Sequence, residues 1–227
     1  MSLAASSDVS ASPEFGNLEA NLRFLDAAAL LGPSTHALEI GSGRGGMLHL
    51  LRSRGLDVCG VDVSADRVAE AQTRYGPLPI QQVAGTTLPF PDAAFDVVLS
   101  FDVFEHIPDT DAHLDEVRRV LKPRGWYLLQ TPNKWTNAIF ETIRWRSFTR
   151  WKADHCSLHS RAELRRRLVS RGFDAIFDDV NVVTPFFRAK VRQYLGSLGL
   201  VLLAVANPDR LPGPLRTNFY VRARRRD

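Results

Sequence analysis

Short apolar runs alternate along the chain with stretches whose apolar residues recur at helical spacing. His36 to Ile40, Asp57 to Asp62, Ile80 to Val83, Phe95 to Ser100 and Trp126 to Thr131 read as strands. Leu18 to Leu31, Gly46 to Arg54, Ser64 to Tyr75 and Thr110 to Leu121 read as helices. Strands that are apolar on both faces, separated by amphipathic helices, imply a mostly parallel sheet covered on both sides, a doubly wound α/β architecture. Ser160 and Glu163 form a capping box ahead of "RAELRRRLVS", and Gly172 stops that helix. A strand over Phe173 to Val183, an apolar helix after Pro185 and an alternating strand in "TNFYVRARR" complete a seven-strand pattern whose last member is expected to run antiparallel. The helix after Pro185 is too apolar to stand free, so packing on the core, another subunit or an apolar substrate tail is expected.

With 227 residues, 44% hydrophobic and 24% charged, the chain is expected to fold as one domain over 17–227, preceded by a small, polar, disordered tail over 1–16. Cys59 and Cys156 offer neither a disulfide framework nor metal spacing, which fits a reducing cytoplasm. The start lacks the pattern of a secretory signal, and the run Leu198 to Ala206 is shorter than the roughly 20 residues of a membrane span. A soluble, cytoplasmic protein is the expectation. The net charge of +4 is mild but unevenly placed: Arg144 to Arg171 carries nine basic residues against two acidic ones. Such a face is either a solvated helix surface or an attractor for an anionic substrate, nucleic acid or lipid headgroups.

The stretch "ALEIGSGRGG", Ala37 to Gly46, ends a strand in a glycine turn. Gly41, Gly43 and Gly46 satisfy the dinucleotide pattern, with Asp62 about twenty residues on to bond ribose hydroxyls. Gly41, Gly43 and Gly45 equally satisfy the loop of S-adenosylmethionine enzymes, and spacing does not separate the two. Four longer stretches do: "LEIGSGRGG", "GVDVS", "LPFPDAAFDVVLSFDVFEHIPD" and "EVRRVLKPRGWYLLQTPN". In this order, and with "HSRAELRRRLVSRGF" after them, they resemble the class I S-adenosylmethionine-dependent methyltransferases, in the broad group that includes ubiquinone- and menaquinone-biosynthesis enzymes. The resemblance implies a Rossmann-like sheet and S-adenosylmethionine as cofactor, and sets the dinucleotide aside.

It also implies roles. The loop of Gly41, Ser42, Gly43 and Gly45 would pack backbone against the amino acid moiety of the cofactor, with Glu39 favouring its positive charge. Asp62 would accept from both ribose hydroxyls, Val63 would cover the adenine face, and Ala84, Gly85 and Thr86 would line its edge. Ser100, Phe101 and the residues up to His106 would close over the methyl donor. Two positions depart from the group: Ala84 stands where an adenine-binding aspartate is common, and Arg124 replaces the first glycine of the usual "KPGG", a surface change expected to matter little.

Methyl transfer to a hydroxyl is helped by a base, for which His106 and His155 are the candidates, while His159 reads as a surface-loop residue. Asp102, Glu105 and His106 at i, i+3, i+4 would share a helical face and suit a divalent cation. The same pair occurs in relatives without metal, and no metal is assigned. An activated thiol at Cys156 is not needed for methyl transfer, and Cys59 reads as a buried small hydrophobe. Specificity is expected in insertions near 133–156 and 184–215. The first interleaves aromatic and basic residues in "IRWRSFTRWK", suiting a lid, a peripheral membrane contact or base stacking. The partners expected are a small-molecule acceptor, anionic or lipid-linked, and a second copy of the chain in a homodimer. Nucleic-acid methylation and non-catalytic cofactor binding are the alternatives.

Overall fold

The computed structural model describes residues 17–145 and 155–227; the tail expected over 1–16 and the basic aromatic stretch 146–154 lie outside them. The elements follow the order α1 (Leu18–Ala28), β1 (His36–Ile40), α2 (Gly46–Ser53), β2 (Asp57–Asp62), α3 (Ala65–Tyr75), β3 (Ile80–Gln82), β4 (Phe95–Phe101), α4 (Thr110–Val120) and β5 (Leu121–Pro132). Then come α5 (Lys134–Trp145), α6 (Arg161–Ser170), β6 (Phe173–Asp178), α7 (Pro185–Val205) and β7 (Asn218–Arg225). The strands form one seven-stranded sheet in the order β3-β2-β1-β4-β5-β7-β6. Only β7 runs antiparallel to its neighbours, as the sequence pattern anticipated.

Alternation along the central strands divides the interior into two cores. Ala37, Val97, Leu99 and Leu128 join Phe24, Leu48 and Leu51 of α1 and α2 on one face. Leu38, Val98, Tyr127 and Leu129 join Leu114 and Val117 of α4 and Leu164 and Leu168 of α6 on the other. Side-chain caps fix where the helices begin: Ser64, Asp109, Ser160 and Thr184 accept from backbone N–H groups of α3, α4, α6 and α7, and Ser160 with Glu163 completes the expected box.

Several expectations are corrected. The strand read over Phe173 to Val183 stops at Asp178. Beyond it Val182 turns into the core, and Asp209 accepts from the N–H groups of Val182 and Val183, so burial of a loop had imitated a strand. His159 is buried against the Phe104 ring rather than on a surface loop. Part of the basic face is neutralised by α4: Arg167 and Arg171 pair with Asp111, and Arg171 also with Asp115. Arg124 holds φ +65°, the left-handed region that favours glycine, so the substitution puts strain into the first residues of β5. The helix after Pro185 covers the core through few residues, Val191, Gly199 and Leu203 among them, and leaves most of its apolar side chains outside.

Candidate active site

Sheet order reverses between β1 and β4, and at their carboxyl ends the chain leaves a crevice, the position such sheets reserve for ligands. The loop after β1 builds its floor. Gly41 and Ser42 donate to the Val61 carbonyl at 2.8 and 3.0 Å, and Gly43 donates to Asp62 Oδ2 at 2.7 Å. Gly41, Gly43 and Gly45 take left-handed φ values of +75°, +52° and +74°, whereas Gly46 already belongs to α2. The three left-handed glycines form the tight turn that lets backbone approach a ligand. At Gly41 a side chain is excluded twice over, since a Cβ would also lie 2.2 Å from Val103 Cγ2.

Two carboxylates flank this loop. Glu39 is buried, and its Oε2 has no hydrogen-bond partner among the described residues. Burial pushes its carboxyl up from 4.5 to about 7, the Ser42 hydroxyl opposes this, and Asp62 adds to it. Asp62, also buried, accepts from Gly43 N–H and from Ser64 N–H at 2.9 Å. With four lone-pair sites on an ionised carboxylate, it retains acceptor capacity for two hydroxyls. Beside it Val63 is 63% exposed, and Ala84 and Gly85, just past β3, are exposed, forming an apolar shelf open to a flat ring.

These features fit S-adenosylmethionine: an orphaned carboxylate oxygen for an ammonium group, an acceptor-only group for a ribose diol, and a cradle that a Cβ would fill. The group would be held by Glu39, the loop Gly41 to Gly43, Asp62 and Val63.

A cavity of about 530 Å³ extends from the glycine loop across the ends of β4 and β5. Of the residues singled out in the sequence, Glu39, Gly41, Ser42, Gly43, Phe101, His106 and His155 line it. Asp62, Val63 and the turn Ala84 to Thr86 stand beside it on the shelf, Gly45 caps α2, and Ser100 is fully buried in the sheet, away from the wall. At the far end Asp102 takes φ +54°, held by its N–H bond to Gln130 Oε1 at 2.8 Å. Asp102 is exposed on the cavity wall, and desolvation by the groups around it raises its carboxyl against the pull of Gln130, Lys190 and both histidines. Glu105, in the middle of a single 3-10 turn between Phe104 and His106, is raised by burial and then by Asp102, while Thr131 Oγ1 donates to it at 3.0 Å.

The imidazoles of His106 and His155 meet edge to face, 5.1 Å between centroids, and His155 Nδ1 lies 2.9 Å from Asn137 Nδ2. Ligand atoms of Glu105, His106 and His155 fall within 4.8 Å of one another, so the cation-binding group contains His155 in place of the expected Asp102. Burial, which raises the Glu105 carboxyl, makes it a weaker cation ligand than an exposed carboxylate. Cys156 is exposed and Cys59 partly buried, with burial pushing the Cys59 thiol up to about 11. Residues the sequence reading missed include Asn21, Arg67, Gln130, Phe187 and Lys190 on the cavity wall. Of these only Gln130 left a signal, a polar residue inside an apolar strand run.

Fold and crevice together define the class by architecture, the Rossmann-like methyltransferase fold. A phosphoethanolamine N-methyltransferase of Haemonchus contortus, solved with S-adenosylhomocysteine, superposes with a TM-score of 0.65 at 22% identity, over 91% of this chain and 52% of that one. The chain belongs to the methyltransferase-domain family, whose model matches residues 16–176. A Mycolicibacterium smegmatis protein named "Probable S-adenosylmethionine-dependent methyltransferase" is 38% identical over 99 residues, which span 44% of this chain and 38% of that relative. A ubiquinone biosynthesis O-methyltransferase of Paramagnetospirillum magneticum is 29% identical over 182 residues, covering 72% of this chain and 70% of the relative.

Proposed function

We propose that this protein transfers the methyl group of S-adenosylmethionine to a small-molecule acceptor, at an oxygen of a phenolic, quinonoid, sugar or lipid-linked compound. The observation that carries the reading is one cavity, joining the glycine loop and Glu39 at one end to His106 and His155 at the other. When bound, the cofactor supplies an electrophilic sulfonium methyl group. The chain contributes position first: Phe101 and Phe187 wall the cavity against water, and an acceptor held there is fixed for in-line attack. Either imidazole of the pair is placed to take the acceptor's hydroxyl proton, with Asn137 orienting His155. Relatives named as O-methyltransferases of ubiquinone biosynthesis and of fatty acids support an oxygen acceptor. Neutralisation of Arg167 and Arg171 by α4 removes charge that a nucleic-acid substrate would use. Incubating the protein with isotopically labelled methyl donor and a metabolite extract tests the proposal. Label is expected in a small molecule carrying a new methyl ether or ester; label only in RNA, or in nothing while S-adenosylhomocysteine binds, refutes it.

A further inference from the structure

The carboxyl-terminal half of α7 carries an apolar surface that the described residues leave uncovered. Gly196, at φ +61° and ψ −155°, breaks the helix in two. After the break, Gly199 and Leu203 face the core. Leu198, Val201, Leu202 and Val205, at i, i+3, i+4 and i+7, are 68, 60, 54 and 82% exposed. A helix apolar on every side belongs in a nonaqueous environment. By length and composition the segment would suit a membrane span. The break and the role of its first half in the cavity wall rule out such a path, because the uninterrupted apolar stretch after Gly196 is far shorter than the roughly 20 residues required.

Charge indicates what covers it. No Asp or Glu occurs over 180–208, while Arg188, Lys190 and Arg192 stand within two turns before the break. The next acid, Asp209, is already engaged by the N–H groups of Val182 and Val183. An apolar stripe flanked by cations alone is the pattern of a helix lying in the interface of an anionic bilayer. The same helix reaches the cavity, whose wall includes Phe186, Phe187 and Lys190, and Leu195 both lines the cavity and is exposed directly before the break.

We propose that the exposed half of α7 docks the protein on an anionic lipid surface, with the cavity mouth facing the bilayer, so that an acceptor dissolved in lipid enters along Leu195 without crossing water. The docking surface stands on its own residues; only the identity of what enters the cavity rests on the methyl-transfer reading.

The test is co-sedimentation of the full chain with phosphatidylcholine vesicles, with and without phosphatidylglycerol. Binding is expected to the anionic vesicles, weakened by salt. Leu198→Asp with Val201→Asp should reduce it roughly tenfold or more, and Arg188→Glu with Arg192→Glu several-fold, because apolar insertion and surface charge act together. None of these four residues lines the cavity, so S-adenosylhomocysteine titration should be unchanged and reports an intact fold. Absence of binding to anionic vesicles by protein that still binds S-adenosylhomocysteine overturns the proposal. So does a stable dimer, without vesicles, that the aspartate variant splits, since a second copy would then cover the stripe. Vesicle binding without S-adenosylhomocysteine binding would instead refute the cofactor reading and leave the docking surface standing.

Discussion

Glu39→Gln separates two consequences of one buried carboxyl. In the free protein this group is raised from 4.5 to about 7 chiefly by burial, which is worth roughly 3 kcal/mol. A carboxyl whose folded value exceeds its unfolded value adds stability below the unfolded value and loses it as pH rises through the folded one. Above neutrality, therefore, the ionised Glu39 weakens the free protein, and the isosteric amide removes that cost. At about pH 8 Glu39→Gln should be more stable than wild type by roughly 3 kcal/mol, and at about pH 5 by less than about 1 kcal/mol. For a chain of this size the gain at high pH corresponds to roughly 5 to 10 °C in Tm. Ligand reverses the ranking: S-adenosylhomocysteine should bind wild type roughly tenfold more tightly at about pH 8 than at about pH 6, because the proton must leave Glu39 to meet an ammonium group, and should bind the variant weakly at both. Thermal unfolding across pH, with and without ligand, measures all of this. An equal stability difference at the two pH values, or a variant less stable at pH 8, would refute the reasoning.

Asp62→Ala removes both the spare acceptors and the anchor of Gly43, so calorimetry should show S-adenosylhomocysteine affinity falling roughly 100-fold or more. Arg124→Gly relieves the left-handed arginine and should raise stability by about 0.5 to 1 kcal/mol, read from denaturant midpoints with unchanged slope. His106→Ala with His155→Ala should lower kcat by roughly 100-fold on the acceptor found by labelling, while S-adenosylhomocysteine affinity holds within a few-fold. Chelator should leave turnover unchanged, because in-line methyl transfer with an imidazole base needs no cation; activity lost and then restored by a divalent ion would assign one to Glu105, His106 and His155.

The alternation of apolar runs and amphipathic helices marked where the strands and the helices between them lie, because a strand buried on both faces and a helix buried on one have different periods. Local chemistry also fixed the cap at Ser160, whose partner Glu163 lies three residues away. The pattern failed where burial arises from loops: Val182 and Val183 looked like strand because a loop packs them inward, and His159 looked exposed although Phe104 covers it. The cavity required tertiary structure. His155 reaches His106, and Phe187 and Lys190 reach the cavity wall, only because α7 and the segment before α6 come to the carboxyl ends of the sheet. Glu39's identity was legible, but its titration was not, since burial depends on every element that closes over it. The same holds for the outer face of α7: its composition called for cover, and only the fold reveals that the described residues provide little of it.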